Sequence, residues 1–400
     1  MAKCLFLNGN IHRQYQLEKI TAKYDYIIIG SGAAGLMLAD ALSRDSYFQN
    51  KRILLLDKDS KKSNDRTWCF WENGPGQFDP IVAKTWENIF FGGQEFSAHF
   101  NISPYSYKLV RGLDFYNYYF KRINEYSNID FIEEEVLSIT ENKEQVSVST
   151  ANSVYSGLQV FNSTFNFEIL NDQKRFPVLQ QHFVGWLIKT KDPIFNENQA
   201  TFMDFSVEQK NNTRFMYVLP YSDNKALIEY TLFSEHLLPM EDYEKAIKDY
   251  LITKYDCSDF EIIEEEKGSI PMTCYDFQAH NTNRVQHIGS AGGWTKPSTG
   301  YTFYNTFKRI EILIPLIKKN KPFTLLLSKR KFRFYDLLLL DILYTENHKG
   351  QYIFETLFKN SPPQLIFKFL DEETNLWEDI KIILACPKKE FLKALFKRLF

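Results

Sequence analysis

Glycine is scarce in this chain, 17 of 400 residues, yet seven of the 17 fall in two short stretches. The first, Gly30-Ser31-Gly32-Ala33-Ala34-Gly35, is a G-x-G-x-x-G between a β-branched run, Tyr24 to Ile29, and a small-residue apolar stretch, Ala33 to Ser43. In that setting the motif binds an anion. Gly30 permits a tight turn, Gly32 omits a Cβ that would strike a pyrophosphate, and Gly35 lets the helix close on the strand. The amides around Ser31, Ala33 and Ala34 then face the phosphates at the helix N-terminus. Asp57 lies 22 residues past Gly35, after the apolar run ending at Leu56, where a carboxylate can accept ribose hydroxyls.

The fingerprint alone does not separate NAD from FAD. The second stretch, Gly289-Ser290-Ala291-Gly292-Gly293-Trp294, continues through Lys296-Pro297-Ser298-Thr299-Gly300-Tyr301. It follows the short run Val285 to Ile288 and precedes a helical pattern from Tyr301 to Lys319. It therefore reads as a second strand-turn-helix returning to the same sheet. FAD needs such a late loop, because its ribitol and isoalloxazine extend beyond the pyrophosphate. Gly289, Ala291, Gly292 and Gly300 are the candidate contacts.

These turns require a parallel sheet to hold them. The runs from Tyr24 and from Lys51 read as strands buried on both faces, and Val160 to Ser163 as a return strand. Asp130–Ile139 and Gln145–Thr150 alternate as half-exposed strands. Phe183–Lys189, Thr201–Phe205, Arg214–Leu219 and Ala226–Phe233 suggest a mixed or antiparallel second sheet. The expected organisation is α/β. A polar extension (1–23) precedes a Rossmann-like FAD-binding unit (24–165 and 275–320), with a substrate domain (166–274) inserted and a helical region (321–400) following.

Composition narrows the classes. With 48 basic against 50 acidic residues and 44% hydrophobic content, the chain is globular and carries no nucleic-acid signature. Five scattered cysteines without a Cys-x-x-Cys pair disfavour disulfides and structural zinc and favour a reducing cytoplasm, and seven scattered histidines suggest no metal site. No run approaches a bilayer span, and the N-terminus lacks the apolar stretch of a secretory signal.

Several further motifs resemble those of the bacterial lycopene cyclases, in that family's order. They are Asp65-Arg66-Thr67-Trp68-Cys69-Phe70-Trp71, Gln181-His182-Phe183-Val184-Gly185-Trp186, Phe202-Met203-Asp204-Phe205 and Tyr217-Val218-Leu219-Pro220-Tyr221-Ser222. Ala226-Leu227-Ile228-Glu229-Tyr230-Thr231 and the late glycine loop complete the set, so the similarity runs from about Tyr24 into the C-terminal helices. The resemblance implies a lycopene β-cyclase. Such an enzyme closes the ψ-end groups of lycopene to β-rings, giving β-carotene or γ-carotene, a redox-neutral isomerisation that needs reduced FAD with NADPH as the usual reductant. The family's essential carboxylate falls on Glu229; plant relatives carry two adjacent acids there. The alternative is an FAD-dependent hydroxylase or isoprenoid reductase acting on a lipidic substrate. Ser290, where aromatic hydroxylases usually have Asp, weakens the hydroxylase reading.

Ring closure starts when a proton adds to an alkene, so it needs an acid, a dry pocket and electron-rich neighbours. Alternation places Leu227, Glu229 and Thr231 on one face of a strand, and the residues alone leave open whether that face is buried. Asp204 and Trp68 are further candidate site residues. Arg66 could reach the cofactor or form a surface ion pair. Asp371-Glu372-Glu373 echoes the plant acid motif but sits in the helical tail and reads as a decoy. Finally, Phe391, Leu392, Leu395, Phe396, Leu399 and Phe400 share one face of a basic helix from Lys388. That pattern suits peripheral contact with the inner face of a membrane. It equally suits docking on the protein's own core.

Overall fold

The computed structural model describes residues 20–321, 323–326 and 329–399. Residues 1–19 of the expected extension, Cys4 and Phe400 therefore lie outside the described residues. β1 (Ile20–Ile29) begins earlier than expected, inside that extension, and runs parallel to β2 (Ile53–Asp57). Ile27, Ile28, Leu54 and Leu55 are fully buried, which explains the uninterrupted apolar runs. α1 (Ala33–Arg44) connects them and lies so close that a Cβ on Gly35 would sit 1.8 Å from the Gly30 carbonyl oxygen.

The chain then leaves the parallel sheet. β3 (Thr67–Asn73), β4 (Val82–Trp86), β5 (Asn88–Gly92), β6 (Ala98–Asn101) and β7 (Tyr105–Arg111) follow in turn. Three of them form a small antiparallel sheet of order β3-β7-β4, whereas β5 and β6 are the edge of the second large sheet. The expected boundary is corrected here: 24–165 is not one block of the dinucleotide unit, because Ile89 and Phe91 are buried in the second sheet's core. α2 (Gly112–Ile123) leads back to β8 (Ile129–Glu133), parallel to β2. The expected strand Asp130–Ile139 is in fact two, with a break after Glu133 before β9 (Ser138–Glu141). β10 (Val146–Ser149) and β11 (Ser153–Asn162) extend the sheet, β11 lying parallel to β1 on its other side.

The second sheet contains β12 (Leu179–Thr190), β13 (Gln199–Asp204), β14 (Thr213–Ser222) and β15 (Lys225–Ser234). After α3 (Met240–Tyr255) comes β16 (Phe260–Met272), for which the sequence reading gave no strand. The order is β16-β12-β15-β14-β13-β5-β6. One face buries Ile228, Tyr230 and Leu232 against Ile247 and Leu251 of α3. The other buries Leu227, Phe233 and Phe202 with side chains of the small sheet and the C-terminal helices.

β17 (Val285–His287) then pairs parallel with β11, and α4 (Phe303–Lys318) packs beside α1 in the first core. Five helices end the described chain. They are α5 (Arg330–Thr345), α6 (Gly350–Asn360), α7 (Pro363–Leu370), α8 (Leu376–Ala385) and α9 (Lys388–Leu399).

Candidate active site

Both glycine stretches come together at the carboxyl ends of the parallel strands, where α/β sheets bind ligands. β17 delivers the late loop beside α1, so that a Cβ added to Gly289 would lie 2.9 Å from the Ala34 Cβ. Gly32 is the N-cap of α1, and no side chain caps that terminus. A Cβ on Gly32 would meet no atom within 4 Å, so the uncapped end faces open space. That cradle fits a pyrophosphate. Asp57 sits at its rim, where its carboxylate accepts from the Ser31 amide at 2.5 Å and the Ser31 hydroxyl at 2.8 Å. Ser31 is thereby tied to Asp57. Gly300 has φ +72 and abuts Gln181, which joins the late loop to β12. Ala33 opens α1, and Ala291 and Gly292 belong to the short turn of the late loop that packs beside that helix. The donor set fits FAD: an open helix terminus, a ribose-side carboxylate and a second glycine loop beside them.

The acids lie on the inner face of the second sheet. Gly185 of β12 is flanked in register by Glu229 of β15 on one side and Glu266 of β16 on the other. Glu229 shares its face with Leu227 and Phe233, both buried in the inter-sheet core, so it faces inward and not towards solvent. The Thr231 hydroxyl donates to Glu229 Oε1 at 2.5 Å. Burial, then the charge of Glu266, push the Glu229 carboxyl from 4.5 to about 8, against the pull of that hydrogen bond. Burial raises Glu266 from 4.5 to about 7, although Thr67 donates to its Oε2 at 2.7 Å. Glu266 Oε1 is buried with no hydrogen-bond partner among the described residues.

Tyr217, Tyr301 and Cys69 lie beside the Glu229 carboxyl and Tyr107 lies beside those three, and burial raises each of the four above its ordinary range. Tyr217 is directly opposite Glu229 on β14, and Cys69 comes from β3. Trp71, two residues on, stands edge-on to Tyr301 at 4.4 Å and stacks on Phe367 at 4.7 Å. Tyr217 and Tyr301 are also the inner end of an apolar cavity of about 490 Å³. It runs between the second sheet and helices α5 to α9, past Phe202 and Phe354. Its outer end is formed by Ile383, Leu384 and Leu392, which are exposed at the surface.

The other sequence candidates are held by other partners. Arg66 is exposed and pairs with Asp65 at 2.6 Å. Trp68 points away from Glu229 into the first core, stacked on Phe303 at 4.9 Å. Asp204 is fully buried and saturated by Tyr250, Ser206 and Lys254 at 2.8, 2.9 and 3.1 Å. Asp371 accepts from the Trp71 indole at 3.0 Å, and Glu372 pairs with Lys296 at 3.2 Å. The tail acids thus pin the helical region onto the late loop. Lys296, which the sequence reading did not single out, is buried and also pairs with Asp336 at 3.0 Å. Its ammonium stays above its ordinary range because the two carboxylates outweigh the effect of burial. Glu266 was missed for want of its strand. The one visible signal was the run Glu264-Glu265-Glu266 just ahead of Gly268-Ser269-Ile270-Pro271.

This architecture is shared with proteins of solved structure. A geranylgeranyl bacteriochlorophyll reductase-like protein from Thermoplasma acidophilum matches with TM-score 0.60 at 10% identity, covering 93% of this chain and 98% of its own. A variant of the halogenase PltM, in complex with FAD, matches with TM-score 0.55 at 12% identity, covering 91% and 83% respectively. The fold is that of the FAD-binding, Rossmann-like flavoproteins with a helical C-terminal region. Sequence comparison narrows this class. The family model described as lycopene cyclase protein matches residues 25–396. A lycopene beta-cyclase from Pseudescherichia vulneris is 26% identical over 290 residues, 70% of each chain. The chain belongs to the lycopene cyclase family.

Proposed function

We propose that this protein is a lycopene β-cyclase that binds FAD in the glycine cradle and closes rings by proton transfer from Glu229. The carrying observation is an acid set behind Tyr217 and Tyr301, which form the inner end of an aromatic-walled apolar cavity, with its carboxyl pushed up to about 8 by burial. With Oε1 engaged by Thr231, Oε2 is the oxygen that carries the transferable proton. The O–H bond breaks as a C–H bond forms at the terminal alkene. The tertiary cation is then attacked by the next double bond, and loss of a ring proton restores neutrality. The faces of Tyr217 and Tyr301 stabilise the cation by about 0.5–2 kcal/mol each. Reduced flavin, with NADPH as the reductant, supplies an electron-rich ring system that favours positive charge nearby. Purified protein with anaerobically reduced FAD and lycopene in liposomes tests the reading. A product of unchanged mass with β-ring absorption is expected. A product that has gained oxygen or hydrogen would instead make the chain an FAD-dependent oxidoreductase acting on a lipidic substrate.

Substrate dissolved in a bilayer requires contact with lipid. No described helix is long and apolar enough to cross a membrane. α9 divides the face expected of it: Phe391 and Leu395 pack on the helical core, whereas Leu392, Phe396 and Leu399 are exposed. α8 presents a stronger stripe. Leu376, Trp377, Ile380, Ile383 and Leu384 are all exposed, Trp377 to 75%. Ile383, Leu384 and Leu392 belong both to this patch and to the cavity's outer end, with Lys381, Lys388 and Lys389 exposed around it. This supports peripheral attachment at an anionic membrane surface, with lycopene entering the cavity directly from the lipid.

A further inference from the structure

The acid proposed to donate the proton has a second acid beside it with no role assigned so far. Glu229 and Glu266 sit opposite the same residue, Gly185, on the two strands that flank β12. Their Cα atoms are thus about 10 Å apart, twice the strand spacing, with both side chains on the inner face. Gly185 has no side chain to separate them, and Glu266 leans over it: a Cβ there would lie 3.1 Å from Glu266 Cγ, 3.5 Å from its Oε1 and 3.3 Å from Leu227 Cδ1. Glu266 is 8% exposed, has one oxygen held by Thr67 and leaves the other, Oε1, unpartnered. A buried carboxylate oxygen without a donor is costly.

We infer that Glu229 and Glu266 form a proton-holding pair across Gly185, in which Glu266 is the positioning residue that keeps Glu229 protonated. The inference rests on the cyclase reading for its catalytic meaning, but not for the pairing itself. Ionised Glu266 makes ionisation of Glu229 unfavourable, so the proton stays on Glu229 until the alkene takes it. The ring proton released at the end returns to the pair, and the cycle closes with no net gain of protons or electrons. Other groups around Glu266 are already committed. On its own strand Glu264 is engaged by Arg111 of β7 and by Asn64. Asp65 and Arg66, ahead of β3, pair with each other. Cys69 of β3 and Tyr221 of β14 are neutral, their ionisation pushed up by burial.

The test uses flavin-loaded full-length protein and the variants Glu266→Gln, Glu266→Asp and Glu229→Gln. The first readout is the pH titration of the buried carboxylic-acid carbonyl band in the infrared, identified by its loss in Glu229→Gln. The second is the pH profile of lycopene cyclisation in liposomes. Removing the charge of Glu266 should move both the band's titration and the alkaline limb of activity down by about one pH unit. That is the effect of a unit charge at the full Cα separation of roughly 10 Å and an effective dielectric near 20, and a carboxylate leaning over Gly185 gives a larger shift. KM should be unchanged. Glu266→Asp, whose charge is withdrawn by one methylene, should give a smaller shift and serves if the Gln variant does not fold. A folded variant whose band and limb both stay in place overturns the pair. If the band shifts but no protein cyclises lycopene, the pair stands and the cyclase reading falls.

Discussion

Glu229→Gln separates the two consequences of burying an acid. A glutamate held at about 8 instead of 4.5 is roughly nine-tenths protonated at pH 7, against about 0.3% at its ordinary value. The site therefore raises the population of the acid form by about 300-fold. Loss of a general acid of this kind should lower cyclisation by about 10²–10⁴-fold. The same shift costs stability. Because the folded value lies above the unfolded one, the native state binds the extra proton between roughly pH 4.5 and 8. Stability then falls as pH rises through that window and is flat beyond it. Glutamine keeps the shape and can still accept from Thr231, but carries no such dependence. Integrated to pH 7, the wild-type penalty is about 3 kcal/mol; at pH 5 it is below about 1 kcal/mol. Urea unfolding of the flavin-loaded proteins at the two pH values reads this directly. The variant should gain on the wild type by about 2 kcal/mol or more between pH 5 and 7. Equal pH dependence in the two proteins would refute a buried, raised Glu229 even if the variant were inactive.

The remaining expectations concern the supports of the site. Gly35→Ala places a Cβ 1.8 Å from a backbone oxygen, so α1 must move off β1; flavin content and melting temperature should both fall sharply. Lys296→Met leaves Asp336 and Glu372 without their shared cation and should destabilise the protein by about 3–5 kcal/mol, read by chemical unfolding. Trp377→Glu should abolish co-sedimentation with anionic vesicles while leaving flavin binding intact. Trp377 is far more exposed than Trp71, Trp86, Trp186 or Trp294, so a blue shift of wild-type fluorescence on adding vesicles should vanish in the same variant.

What could be read from the sequence was what local constraint writes into residue type. The two glycine turns were legible because a missing Cβ is itself the requirement, and β1 and β2 because burial on both faces leaves a continuous apolar run. Alternation in β15 put Glu229 on the face of Leu227 and Thr231, but not which face was inside. That depends on the small sheet and α7 covering it, a relation between segments more than a hundred residues apart. Glu266 was hidden more thoroughly. Three consecutive glutamates look like a solvated edge, and only Thr67, 199 positions earlier, turns one of them inward. The basic face of α9 was visible, whereas the exposed stripe on α8 was not: apolar residues on a helix ordinarily signal core, and here they point out.

The two halves of the site are made by one apolar enclosure. Helices α5 to α9 and the second sheet wall the apolar cavity whose inner end is Tyr217 and Tyr301. Burial behind those tyrosines raises the Glu229 carboxyl, and the apolar walls would let a polyene lie beside it. Lys296 ties the enclosure to the late glycine loop through Asp336 of α5 and Glu372 beyond α7. The segment proposed to hold the flavin and the helices proposed to meet the membrane are therefore joined by one buried ion triad. An event that loosens the helical region would admit water, return Glu229 towards its ordinary acidity and release the late loop together. On the proposed reading, acid strength, cofactor position and substrate entry would then all depend on the ion pairs of Lys296.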